Sequence, residues 1–310
     1  MNMELVTLDR IQHAAETITG QAIRTPLLPA RWAGDLWLKP ENLQPVGAFK
    51  IRGAANAVAA ASDDTAGVIT HSSGNHGRAL GYVAAERGIP CVIVVPDAAP
   101  DVKVDAMRAT GARIVLVPGT DRESTAIRLR DERGLRLIPP YDHPDIIAGQ
   151  GTVGLEILAD FADVDTIVVP VGGGGLASGV GAAVKASSST ARVIGVEPVF
   201  AADAADSLKQ RHRVVWSIQD TYRTIADGAR TPLSELTFAH IDAFVDEIVT
   251  VTDDEIRAAM GRLARESKLV AEPTGALTTA AHLKYGRTWG RTVAVVSGGN
   301  VDPSLLAQVL

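Results

Sequence analysis

Cysteine is almost absent from this 310-residue chain: Cys91, opening the apolar run CVIVV, is the one thiol, so no internal disulfide can form. Cys91 reads as core packing in a reducing compartment. Positive charge is not clustered anywhere, and the formal net charge is −6, so nothing marks a surface for nucleic acid or an acidic membrane. Small molecules are the expected partners. No apolar stretch approaches the roughly 18 residues of a membrane span, and Glu4 and Asp9 stand where a signal peptide would carry positive charge. A cytoplasmic protein is expected. Aromatic residues make up only 4% while hydrophobic residues reach 46%, with Ala, Val and Gly dominant, as expected for helices laid closely on buried sheet. That composition indicates an α/β protein, and the length allows two domains.

Along the chain, apolar positions recur at helical spacing from Leu8 to Ile18, and Gly20 can close that helix. Pro26, Pro29 and LWLK lead into KPENLQPVGAFKIRGA, Lys39 to Ala54, and then a strong helix former from Ala54 to Ala61 ending at Ser62-Asp63-Asp64. Strand-like GVIT follows, and Ser72-Ser73-Gly74-Asn75-His76-Gly77 opens the helix RALGYVAAERG. Strands CVIVV, RIVLV and LRLI alternate with helices near residues 102–110 and 122–133, which predicts a parallel sheet. The prolines from Pro139 to Pro144 mark a domain crossing. Beyond it GQGTVGLEILADF is helical, TIVVPV is a buried strand before Gly172 to Gly175, and RVIGVEP is another strand. Residues 199–234 show few clear periods. EIVTV, a capping box at Thr252 to Glu255, a helix to about Glu266, a helix from Glu272 and the strand TVAVVSGGN complete the chain. No internal repeat or low-complexity tract is present.

Three features carry chemistry. Lys50 lies among apolar neighbours at a helix start, where desolvation lowers an amine's pKa and frees its lone pair for attack on a carbonyl. The run Gly172 to Gly175, between an apolar strand and a helix, has the make-up of a phosphate cradle, with bare backbone N–H groups and a helix N-terminus. It fits a rival too: Gly172, Gly174 and Ala177 satisfy GxGxxA and Glu197 ends the next strand, the local pattern of an NAD-dependent oxidoreductase. The loops Ser72 to Gly77 and Ser297 to Asn300 also follow strands, and the carboxyl ends of parallel strands line one crevice. The oxidoreductase reading leaves Lys50 and both of these loops without a task.

Taken in order, the lysine stretch, SSGNHG, the GQGT of Gly149 to Thr152, VPVGGGGL, Glu197-Pro198, Ala226 to Gly228, EPTGA and VSGGNVD resemble the fold-type II pyridoxal-phosphate enzymes, which are tryptophan synthase β-like. The resemblance runs from about Thr25 to Asp302 and is nearest to serine/threonine dehydratases and serine racemases. With nothing after Leu310, it is to the short catabolic type. It implies a large cofactor domain of residues 1–60 and 143–310, a small mobile domain of residues 61–142, and a homodimer. Lys50 would carry pyridoxal 5′-phosphate and remove the α-proton, with Phe49 beside the ring, Asn75 on its 3′-oxygen, Ser297 at its nitrogen and Gly172, Gly173, Gly174 and Gly175 on the phosphate. Ser72, Ser73, Gly74 and His76 would gather around the substrate carboxylate.

A serine hydroxyl at Ser297 permits a neutral pyridine nitrogen, which favours β-elimination over transamination. The expected activity is dehydration and deamination of L-threonine or L-serine to a 2-oxo acid and ammonia. The alternatives within the family are an amino-acid racemase, for which Ser73 would be the second proton donor, or a threo-3-hydroxyaspartate dehydratase. Glu197 and Asp203, with the carbonyl of Ala201, match a Mg²⁺ or Ca²⁺ site of the racemase-like members. Two departures from the family pattern bear on the substrate: Ala48 replaces a common serine, and Arg78 replaces a common glutamine. A cation at Arg78 would suit an acidic side chain; the exposed face of the helix is the preferred placement.

Overall fold

The computed structural model describes residues 4–61, 65–187 and 189–310. Its strands are β1 (Leu28–Pro29), β2 (Leu36–Pro40), β3 (Val68–His71), β4 (Cys91–Pro96), β5 (Arg113–Val117), β6 (Arg136–Leu137), β7 (Thr166–Pro170), β8 (Arg192–Pro198), β9 (Glu247–Val251) and β10 (Thr292–Val296). Its helices are α1 (Leu8–Thr17), α2 (Lys50–Ala59), α3 (Asn75–Glu86), α4 (Asp101–Arg108), α5 (Arg122–Arg133), α6 (Pro144–Asp160) and α7 (Gly175–Ala186). The remainder are α8 (Asp203–Gln210), α9 (Ile218–Thr221), α10 (Glu235–Phe244), α11 (Asp253–Ser267), α12 (Pro273–Tyr285) and α13 (Pro303–Val309).

Two sheets form. One has six strands in the order β1-β2-β10-β7-β8-β9, parallel throughout except for β1 against β2; the other has four, β5-β4-β3-β6, all parallel. Strands β7 and β10 are buried at every residue, because helices cover both faces. Within β7 the side chains still alternate: Val168 packs with Leu38, Met260 and Leu277 on one face, while Ile167 and Val169 pack with Val153 and Val180 on the other. Helices α6 and α7 approach so closely that a Cβ on Gly179 would lie 2.3 Å from the Ile147 carbonyl oxygen. Only glycine fits there.

Several elements differ from the sequence expectation. Helix α2 begins at Lys50 itself, and the Ser62-Asp63-Asp64 terminator expected for it lies outside the described residues. Helix α3 begins at Asn75, so half of the SSGNHG loop is already its first turn. Strand β6 stops at Leu137, since Pro139 and Pro140 offer no N–H to extend the ladder. The stretch with few periods contains α8 and α9 and ends at Ser234, the N-cap that opens α10 through a Ser234/Thr237 capping box. The capping box at Thr252 and Glu255 is present as expected.

Helix α2 is held by a buried ionic cluster. All five N–H groups of Arg52 are engaged: Nε and Nη2 on the Glu41 carboxylate at 2.8 Å each, Nη1 and Nη2 on Glu156 at 2.7 and 2.9 Å, and further bonds to Thr152 Oγ1 and Ile23 O. Lys39 Nζ donates to Glu156 Oε2 and to Thr25 O, both at 2.6 Å. Burial would raise the Glu41 carboxyl, but the Arg52 guanidinium overrides it and holds the group below its ordinary value. Two cations and two carboxylates thus balance, two residues from Lys50. The apolar side of α2, with Ile51, Ala54 and Val58, packs into the core beside Val68 and Ile93 of the four-stranded sheet and Leu80 of α3.

Candidate active site

A cavity of about 680 Å³ lies where the two sheets meet, within the size range of small-molecule sites. Strand β3 of the smaller sheet delivers the Ser72 loop to it; β7 and β10, neighbours in the larger sheet, deliver Gly172 to Gly175 and the Ser297 loop. Phe49, Lys50, Ser72, Ser73, Gly74, Asn75, His76, Gly172, Gly173, Gly174, Gly175 and Ser297 therefore line one space. Glu197, Ala201 and Asp203 do not; they sit at the end of β8 and the start of α8.

Lys50 Nζ donates to the Pro140 carbonyl at 2.7 Å and lies 5.0 Å from the centroid of the Phe49 ring. Burial lowers its amine from 10.5 to about 8. The segment carrying it is pinned to the end of β10, where Phe49 N donates to Ser297 O at 3.0 Å and Ala48 bridges Gly298.

Two groups of backbone donors face this amine's cavity unspent. Among the described residues, none accepts from the N–H groups of Gly172, Gly173, Gly174 or Gly175. Gly174 takes φ +85°, which turns these groups at the head of α7. The loop is closed from behind: a Cβ on Gly173 would lie 2.5 Å from the Tyr141 ring, and one on Gly172 would lie 2.5 Å from Gly228 O. This cradle suits a phosphate at a helix N-terminus. At the head of α3 the N–H groups of Ser73, Asn75 and His76 likewise have no acceptor among the described residues. Ser72 Oγ accepts from Gly74 N at 3.3 Å and Gly77 N at 3.1 Å, so its hydroxyl shapes the loop. The His76 imidazole is buried and bonded through Nε2 to Ile138 O at 3.1 Å, and burial first, then Lys50, lowers its pKa to about 3. It is neutral, with Nε2 as the donor.

Residues without an assigned role in the sequence reading complete the site. Asn75 Nδ2 donates to Glu272 Oε1 and its Oδ1 accepts from Asn300 Nδ2, both at 2.7 Å; Asn300 Oδ1 in turn accepts from Arg78 Nη1 at 2.6 Å. The two amides are thereby fixed in orientation, leaving one Asn75 N–H uncommitted. Burial, then Asp227, pushes the Glu272 carboxyl up to about 8. Arg78, expected on the exposed helix face, is instead half-buried and lines the cavity, because i to i+3 spacing sets it over Asn75. The EPTGA and VSGGNVD motifs pointed at Glu272 and Asn300 without showing that they meet.

Glu197 accepts from Ala204 N at 3.1 Å and Ala205 N at 2.8 Å, so its carboxylate caps α8 and is not turned toward the glycine loop as a ribose ligand would be. The oxidoreductase alternative is thereby corrected. Asp203 lies beside it with a buried, unpartnered Oδ2, and burial raises both carboxyls. Among the described residues no three His, Cys, Asp or Glu side chains gather around a common point, and no helix is long and apolar enough to cross a membrane.

Residues 18–298 match the model of the pyridoxal-phosphate dependent enzyme family, and the chain belongs to that family. Its relatives put it among the ammonia-lyases and amino-acid racemases. It is 42% identical to the L-threo-3-hydroxyaspartate ammonia-lyase of Saccharomyces cerevisiae over 99% of this chain and 97% of that one. It is 38% identical to the L-threonine ammonia-lyase of Thermotoga maritima, over 99% of this chain and 78% of that one. Maize serine racemase superposes with a TM-score of 0.93 at 37% identity, covering 98% of this chain and 97% of that one.

Proposed function

We propose that the protein is an ammonia-lyase for 3-hydroxy-L-amino acids, of which L-serine and L-threonine are the simplest, releasing a 2-oxo acid and ammonia. The observation that carries this is the Lys50 amine, lowered to about 8, in one cavity with two sets of unspent backbone donors. The residues present fit pyridoxal phosphate: Lys50 would hold it, Gly172 to Gly175 would bind its phosphate, the uncommitted Asn75 N–H would meet its 3′-oxygen, and Phe49 and Ser297 would flank the ring. When bound, it supplies the electron sink that acidifies the substrate's α-carbon. Lys50 Nζ removes the α-proton, a task matched to an amine titrating near the working pH. The N–H groups of Ser73, Asn75 and His76 hold the α-carboxylate. Residues 61–142 would close over the substrate and exclude water.

Racemisation is the second reading, favoured by the Ser73 hydroxyl, which lines the cavity and makes no hydrogen bond among the described residues. Glu197, Asp203 and the Ala201 carbonyl would hold Mg²⁺ or Ca²⁺, with water completing the shell; an uncompensated buried carboxylate pair fits a hard cation. Binding should raise the Tm, and Asp203→Asn should abolish the rise.

Incubation of the holoenzyme with L-serine, with pyruvate and D-serine quantified together, tests the assignment. Pyruvate in excess supports the lyase and D-serine in excess the racemase. The absence of any 2-oxo acid and of any α-inverted amino acid from L-serine, L-threonine and L-threo-3-hydroxyaspartate, with cofactor bound, would refute both. Lys50→Ala should yield no product from any of them.

A further inference from the structure

Arg78 is a cation that the reaction proposed above does not use. It sits one turn along α3 from the donors offered to the α-carboxylate and lines the same cavity. Of the other cavity cations, Lys103 pairs with Asp227 and Lys50 Nζ is held by Pro140 O. Arg122 and Arg230 also meet neutral carbonyls, of Gly119 and Thr224, but neither is carried by α3: Arg122 opens α5, and Arg230 lies before α10 and stacks on Tyr222 at 4.9 Å. Arg78 bonds only the neutral Asn300 amide, and among the described residues no carboxylate lies within 4.0 Å of it.

Nor does the surrounding network neutralise it. The two amides between Arg78 and Glu272 carry no charge, and Glu272 is largely protonated at neutral pH. Asp302, which also lines the cavity, accepts from Ser304 N and Oγ through Oδ1 and forms no ion pair with Arg78. A half-buried guanidinium without a counter-ion is a costly arrangement that an anionic ligand relieves. A substrate with a neutral side chain does not supply that anion, since its one carboxylate is already met by the backbone donors.

We infer that Arg78 receives a second, side-chain carboxylate, so that the preferred substrate is a 3-hydroxylated dicarboxylic amino acid. This rests on the lyase or racemase reading of the site and specifies which member of the substrate class it takes. Among the described residues Nη2 and Nε make no hydrogen bond, and they are the donors offered to that carboxylate, while Nη1 remains on Asn300 and aims the fork.

The test compares kcat/KM for L-threo-3-hydroxyaspartate and L-serine in the wild-type holoenzyme, Arg78→Gln and Arg78→Lys. Binding of L-aspartate, which has both carboxylates and no hydroxyl to eliminate, is measured alongside by calorimetry. The expected result is a wild-type preference for the acidic substrate, a fall in that ratio of about 30-fold or more in Arg78→Gln, and a smaller fall in Arg78→Lys. L-aspartate affinity should drop in parallel. An unchanged ratio overturns the inference, as does an equal loss on both substrates, which would make Arg78 a positioning residue acting through Asn300 and Asn75. Turnover of L-serine without any preference for the acidic substrate overturns it while leaving the lyase intact. If nothing is turned over, the lyase reading fails, and L-aspartate binding still decides: the recognition of a second carboxylate stands if affinity falls in Arg78→Gln and falls with it if not.

Discussion

At the residue scale, Lys50 carries a buried amine that, on the reading proposed above, is fitted for proton removal at the expense of stability. Its amine titrates at about 8 in the folded chain and near 10.5 when exposed to water. Below about pH 8 the folded protein therefore carries a desolvated ammonium, and that cost disappears as pH rises from about 8 to 10.5. The apo-protein should gain stability over that interval. Lys50→Ala should lack the gain and be more stable than wild type at neutral pH by roughly 2 kcal/mol, as read by urea denaturation of the two apo-proteins. The sequence announced this lysine through its apolar flanks and the glycine loops downstream. It singled out Arg78 as a departure but preferred the wrong face for it, because a helical cation looks the same in sequence whether its neighbour is water or Asn300, 222 residues away.

At the element scale, α2 and the α7 entry loop make different demands. Helix α2 positions Lys50 through Arg52, whose five donors are all spent inside the protein. Arg52→Met leaves Glu41 and Glu156 facing each other with only Lys39 between their charges, and should cost about 3–5 kcal/mol in chemical denaturation. The α7 loop depends on the absence of side chains. Gly173→Ala drives a methyl toward the Tyr141 ring, so Tyr141 or the loop must move, and pyridoxal-phosphate affinity measured by absorbance titration should fall by about tenfold or more. Local sequence made the helices and buried strands legible, since hydrophobic period and caps are properties of neighbouring residues. The ionic cluster was hidden in plain view: Lys39, Glu41 and Arg52 all lie in or beside the lysine motif, but their common partner Glu156 comes from α6. Helix α10 was missed for a related reason, as it is held by packing on α7 and α8 more than by a clean period.

At the scale of the whole molecule, the cavity belongs to both sheets, and an ion pair spans its mouth. Lys103, on the α4 side of the smaller sheet, pairs with Asp227 on the loop before α10. Both side chains are partly exposed, so the pair is worth at most about 1 kcal/mol and is screened by salt. Lys103→Ala should raise KM a few-fold, by about the same factor as raising the salt to about 1 M does for wild type, and salt should have little further effect on the variant; steady-state kinetics at two ionic strengths checks this.

The bond between the lysine segment and the end of β10 also dictates when the enzyme can come into being. Asn300 reaches back 254 residues to Val46, and β10 is an inner strand of the larger sheet although it is the last of the ten described strands in chain order. On the ribosome, β2 and β7 must wait with unpaired edges until that strand emerges, a topology that folds slowly and exposes the nascent chain to association. Lys50 is translated before β10 but acquires its surroundings only once β10 has been made. On the reading proposed above, cofactor capture therefore follows the closure of the sheet.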